Sequence, residues 1–185
     1  KASDGINLAS EISTFTLSFA ILDPDFNSVS FLSHFNGADN GVNNTFIDGS
    51  TSAHAITANG NVTQGSFGPF ARPDGEWAVD FNGTSDYLNA ATSAGFAFGT
   101  GDYTIETFVF CTNSNGTNKT IWSNHWSGTG QLLMTYDHPN SGAKKFGFFD
   151  AAYNAGTPIL ISAVFEPNQW VHVAIVRSSG VVKMY

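Results

Sequence analysis

Basic residues are scarce in this chain of 185 residues, with Lys and Arg totalling 7 against 15 acids for a formal net charge of −8. Binding to a phosphate backbone is driven by Lys and Arg displacing counterions, so this balance argues against a nucleic-acid partner. Cysteine is nearly absent. The single Cys111 excludes an intramolecular disulfide framework and leaves the redox compartment open. At the end of an apolar run it reads as a half-buried thiol rather than a reactive one. No apolar stretch approaches the roughly 18 residues of a membrane span, and no basic segment followed by an apolar one opens the chain. Also missing is the 3.6-residue period of an amphipathic helix, so helix content is expected to be near zero. No G-x-S-x-G elbow or Cys/His signature is present. His34, His54, His125, His138 and His172 show neither H-E-x-x-H nor any paired metal spacing.

What remains is rich in Phe (17), Gly (19) and neutral polar residues, with charged residues at 12%. That mixture suits an all-β protein with many turns and a polar, weakly charged surface, fit for extracellular or particle-bound life.

The most informative stretch is Trp77 to Phe110. Val79 and Phe81 alternate with Asp80 and Asn82, the period of a half-buried strand. Asn82-Gly83 breaks it, Gly83 supplying the positive φ of a tight turn, and Tyr87 to Ala90 is expected to return as its partner strand. Tyr103 to Phe110 (YTIETFVF) is the strongest strand of the chain, apolar on both faces. That pattern predicts a central strand with the core on one side and a covered or concave surface on the other.

Upstream, Ser13 to Leu22 alternates Phe15, Leu17, Phe19 and Ile21, predicting a strand that is either an arm or an ordinary edge strand. Val29 to Phe35 is predicted as the next strand. Residues 61–76, with Phe67 and Phe70, read as an apolar connection packed on the sandwich edge. Downstream, strands are expected at 120–122, 131–137, 144–149, 157–165 and 170–177, the last turning at Ser178-Ser179-Gly180.

Phe81-Asn82-Gly83, Asp86-Tyr87-Leu88, Tyr103-Thr104-Ile105-Glu106 and Trp170 to Arg177 occur in this order. In these motifs the chain resembles the concanavalin A-like superfamily, and in particular its laminin-G-like jelly rolls. The resemblance spans residues 29–185, with 1–28 as an N-terminal arm or edge strand. It implies an all-β, antiparallel, two-sheet jelly-roll sandwich. The family's later strands, ending in an F-x-G-x-I-D-D segment, find no counterpart before Tyr185, so the jelly roll is expected to be C-terminally incomplete or completed by another polypeptide.

The glucanases of the superfamily carry E-x-D-x-x-E on a strand, which aligns nucleophile and acid on one face. That motif is absent: Glu76 and Asp80 flank Trp77 without a third partner, and Glu106 has no carboxylate two residues away. The expectation is therefore a non-catalytic structural or adhesive module. Its acidic, Lys-poor and Cys-poor character resembles modules of bacteriophage tail fibres and capsid surfaces, which would place it on a virion beside other virion or scaffold proteins, as a homo-oligomer or part of a larger assembly. The alternative is a carbohydrate-binding module of a secreted or cell-surface protein.

Sugar recognition uses exposed aromatic rings and planar polar groups. The best local group is Trp122, Asn124, His125 and Trp126, joined by Asp150 and Tyr153, for a glycan or host-surface receptor. For Trp122 core packing is the simpler role. Calcium prefers oxygen ligands, and Asn36, Asp39 and Asp48 lie in oxygen-rich turns that could hold it, or that merely cap their own backbone. N-x-S/T occurs at Asn43, Asn61, Asn82, Asn115 and Asn118, a frequency that chance explains in a chain rich in Asn and Thr.

Overall fold

A computed structural model describes residues 23–35, 45–65, 67–70, 77–124, 131–150 and 157–185. Eleven strands are present among them: β1 (Ile56–Asn59), β2 (Thr63–Gly65), β3 (Ala78–Asp80), β4 (Tyr87–Ala90), β5 (Tyr103–Phe110), β6 (Lys119–Ser123), β7 (Leu132–Tyr136), β8 (Lys145–Asp150), β9 (Leu160–Val164), β10 (Trp170–Ser178) and β11 (Val181–Met184). The only helical turns among the described residues are short 3₁₀ segments, Phe26–Ser28 and Ala94–Phe96.

Two antiparallel sheets face each other, one ordered β11-β10-β5 and the other β6-β7-β8-β9, with two-stranded ribbons β1-β4 and β2-β3 beside them. The inward residues of the first sheet, Ile105, Val173 and Ile175, meet Leu132, Met134, Tyr136, Phe146 and Phe148 of the second. Met134, Phe148 and Ile175 are wholly buried. Burying side chains of this size contributes roughly 1.5–3 kcal/mol each, and this one shared core is what makes a sandwich of two otherwise half-wet sheets stable.

The β10-β11 turn forms as expected, with Ser179 and Gly180 both at positive φ (51° and 82°), the backbone that matches the strand twist of a two-residue hairpin. Its tip is fastened to a neighbouring turn. The Ser179 amide donates to Asp102 Oδ1 at 2.8 Å, and the Arg177 guanidinium donates to the carbonyls of Thr100 and Gly101.

Two expectations are corrected. Tyr87–Ala90 does not pair with the strand before it: β3 pairs with β2, and β4 with β1. Gly83 does take a positive φ of 71°, but the turn is built on Asn82, whose Oδ1 accepts from the amides of Thr84, Ser85 and Asp86. Asp86 then reaches back to the Asn82 amide and across to the Asn61 amide. An Asx-centred loop of this size lets the two strands diverge into separate ribbons, where a two-residue turn would have held them together.

Residues 29–35 form no strand. The Leu32 amide donates to Asp48 Oδ1 at 2.9 Å and its carbonyl accepts from Gly49 at 2.6 Å, so a side chain and a loop satisfy the groups a sheet ladder would have used. Among the described residues β5 has one hydrogen-bonded neighbour, β10, which lies between β5 and β11. The predicted strand at Ser13 to Leu22 lies outside the described residues.

One buried acid organises the loops at the β7 end. Asp137, with its side chain fully buried and φ at 62°, accepts from the Ser114 hydroxyl at 2.7 Å and from the amides of Asn115 (2.9 Å), Gly116 (2.7 Å) and Lys144 (2.9 Å). Lys119 Nζ stands 3.5 Å away. Burial opposes ionisation, but the Ser114 hydroxyl, the Lys144 and Gly116 amides and the Lys119 charge outweigh it and hold the carboxyl down at about 2. The sign follows: a depressed folded-state pKa contributes stability in full above the ordinary carboxylate range near pH ~4 and loses it as pH falls toward the folded value. Asp137→Asn is expected to cost about 2–4 kcal/mol at neutral pH, because an amide NH₂ replaces an acceptor among buried donors. Urea denaturation of both proteins across the acid range checks this. The difference between them should shrink below pH ~4, and a constant difference would contradict the assignment.

Candidate functional site

The β5-β10 ladder sorts side chains by parity. Its register pairs Trp170 with Phe110, His172 with Phe108 and Ala174 with Glu106. Since Ile105, Val173 and Ile175 point into the core, alternation sends Glu106, Phe108, Phe110, Trp170 and His172 to the opposite face. The connection after β2 brings two more rings to it. Phe67 stands edge-on to Phe110 with centroids 4.9 Å apart and lies 5.6 Å from Trp170. Phe70 stands edge-on to Phe108 at 4.8 Å.

This face is open to solvent. Phe67, Phe70 and Phe108 are 55%, 51% and 40% exposed, unusual for large apolar rings that touch one another. Phe108 stacks on the His172 imidazole at 4.6 Å with 25° between planes, and His172 Nε2 lies 3.2 Å from Glu106 Oε2. A row of rings therefore ends in an acid–imidazole pair on the same surface. Among the described residues, the outward positions of β5, β10 and β11 carry one carboxylate, Glu106, and one fixed cation, Lys183.

The sequence-derived ligand group divides. Trp122 lies on β6 and packs half-buried against the core and edge-on to Phe98. Asn124 closes the β6-β7 connection: its Oδ1 accepts from the Leu132 amide at 2.7 Å, and its Nδ2 donates to the Phe96 carbonyl at 3.3 Å. Asp150 ends β8 opposite Leu132. His125, Trp126 and Tyr153 lie outside the described residues.

Of the calcium set, Asn36 and Asp39 also lie outside them. Asp48 is buried and holds its own loop together. Oδ1 accepts from the Leu32 and Ser50 amides, and Oδ2 accepts from the His54 amide and the Ser50 hydroxyl and meets His54 Nδ1 at 2.7 Å. Although burial raises its pKa, these amides and the His54 ring hold it well below the usual carboxylate range. Two oxygens with about four lone-pair sites serving five donors present nothing to a cation. Among the described residues no group of three or more His, Cys, Asp or Glu side chains could hold a metal ion.

The outward rings were visible in the sequence only as an excess. Tyr103 to Phe110 is apolar at both parities, and Phe67 and Phe70 make a connection too apolar for an exposed loop. Nothing in the spacing says that residues about 40 positions apart share one surface; the pairing of β5 with β10 does that.

An antiparallel two-sheet sandwich with one core, ribbons at its side and an outward aromatic sheet face belongs among the lectin-like jelly rolls. Residues 82–185 match a laminin-G family model of the concanavalin A-like lectin/glucanases superfamily. The match covers more than half of the chain, and the chain belongs to this family. No curated protein and no solved structure matches it. Among the described residues no helix is long and apolar enough to cross a membrane.

Cys111, just after β5, is half-buried. Burial pushes its thiol up to about 11, with Lys119 pulling it down and Asp137 adding to the rise. It lines a void beside Tyr136, Phe146 and Val171 that is large enough for about one water molecule. The nucleophile is the thiolate, so alkylation by iodoacetamide at mildly alkaline pH should run roughly a hundredfold slower in the folded protein than in urea. Equal rates would show the thiol to be accessible and unperturbed.

Proposed function

We propose that this protein is a non-catalytic adhesive module that attaches to glycans. The observation that carries the reading is the exposed aromatic face of β5 and β10 with the Glu106–His172 pair at its end. Apolar rings cover the C–H faces of sugars, and planar polar groups take their hydroxyls. Hydrolysis of a glycosidic bond needs two carboxyl groups roughly 5–9.5 Å apart. On this face Glu106 pairs with an imidazole, and no second acid occupies an outward position of β5, β10 or β11.

The favoured setting is a virion surface or tail fibre, where the module mediates assembly or host attachment. What supports it is a resemblance to modules of bacteriophage tail fibres and capsid surfaces, in the acidic, Lys-poor and Cys-poor composition together with the Phe81-Asn82-Gly83, Asp86-Tyr87-Leu88 and Tyr103 to Glu106 motifs; the alternative is a carbohydrate-binding module of a secreted or cell-surface protein. A defined oligomer by analytical ultracentrifugation favours the first, a monomer the second. With Asp48 engaged, calcium in this reading falls to Asn36 and Asp39. A thermal midpoint raised by calcium over chelator, with the rise lost in Asp39→Ala, supports that part; identical midpoints remove it.

Retardation of the purified protein in native gels containing soluble polysaccharides, with no reducing sugar released on prolonged incubation, is the expected outcome. Release of sugar, or failure of every polysaccharide to retard the protein, overturns the reading.

A further inference from the structure

The aromatic face has an internal order that narrows the ligand. Phe110, Trp170 and Phe67 form one cluster of rings, and Phe108, His172 and Phe70 form the next. They are two residues apart on the same strands, so the clusters repeat about every 7 Å along the strand direction. Glu106 stands one further repeat along β5, opposite Ala174, which is itself buried and leaves the carboxylate beside a shallow floor. Aromatic cluster, aromatic cluster and the Glu106 carboxylate thus lie in one line, with His172 of the second cluster reaching to 3.2 Å from Glu106 Oε2.

Resting on the reading as a glycan-attachment module, we propose that this face binds an uncharged, extended glycan laid along β5 and β10. Successive sugar units stack on the Phe67/Phe110/Trp170 and Phe70/Phe108 clusters, and Glu106 and His172 bond the hydroxyls of the next unit. Charge selects the class. Sulfated or carboxylated chains call for clustered cations, because each anion brought to the surface must be matched. The outward positions of these strands offer Lys183 as their one fixed cation and set Glu106 against the ligand. In a chain with a net charge of −8, a polyanion meets repulsion rather than steering.

The test is affinity electrophoresis of the purified protein in gels containing β-glucan, xylan, mannan or galactan, with heparin as the polyanion, together with Phe70→Ala, Phe108→Ala, Glu106→Gln and Trp126→Ala. Phe70 and Phe108 are exposed, so their removal should leave the fold intact, as unchanged thermal midpoints would verify. At least one neutral polysaccharide should retard the protein while heparin does not. Each Phe→Ala change should weaken that retardation roughly two- to tenfold, and Glu106→Gln should weaken it without enabling heparin binding. Retardation by heparin alone overturns the neutral-ligand assignment while leaving glycan attachment standing. Neutral binding that survives both Phe changes but is lost in Trp126→Ala moves the site to the 122–126 loop and overturns the placement. Phe changes that alter the sedimentation of the protein and not its retardation show the face to be an interface between copies, which also overturns it. Retardation by none of the polysaccharides removes the broader reading as well.

Discussion

The antiparallel ladder between β5 and β10 is the constraint on which the rest of this domain depends. Its eight residue pairs give the first sheet its only long pairing among the described residues, and strict alternation along it assigns every side chain to one of two environments. Inward residues close the core against β7 and β8. Outward residues make the aromatic surface. A slip of β5 by one residue against β10 would turn Glu106 and Phe108 toward the core and expose Ile105, so the same hydrophobic pattern that stabilises the sandwich also fixes which groups meet a ligand.

Around that ladder the irregular segments are held by carboxylates rather than by strand pairing. Asp48 gathers Leu32, Ser50 and His54, Asp86 joins two turns through the Asn61 and Asn82 amides, and Asp137 joins the 114–116 turn to Lys144. Asp48 and Asp137 satisfy buried and part-buried backbone N–H groups that would otherwise be stranded, while the Asp86 bonds lie at the surface. In a chain with so many turns and so few cations, backbone amides are the natural partners for acids. Asp48 and Asp137 are accordingly held in the charged form mainly by amide and hydroxyl donors, against the cost of burial.

The sandwich was legible because runs of β-branched and aromatic residues such as Tyr103 to Phe110 and Trp170 to Arg177 favour one secondary structure, and because the motifs from Asn82 onward fall in the family's order. Local turn chemistry was harder. Asn82-Gly83 signals a turn correctly, but which strands it separates is decided by the Asn82 and Asp86 side chains, and a sequence does not show which amides those will bind. Val29 to Phe35 has the composition of a strand and is held instead by Asp48, a partner 16 residues from Leu32. The aromatic surface was hidden for a related reason: Phe67, Phe108 and His172 carry no motif of their own, and only the long-range pairing makes them neighbours. Trp122, conspicuous in the sequence, turns out to serve the core.

The direction of the β5-β10 ladder has a mechanical consequence. Antiparallel inter-strand bonds run across the strands, so tension transmitted along β5 reaches all the rungs together, in shear, instead of opening them one after another from an end. The Arg177 and Ser179 contacts to the 100–102 turn pin the hairpin tip against the same displacement. A surface that grips a polymer lengthwise along these strands would therefore pull on the domain in the direction in which it yields least.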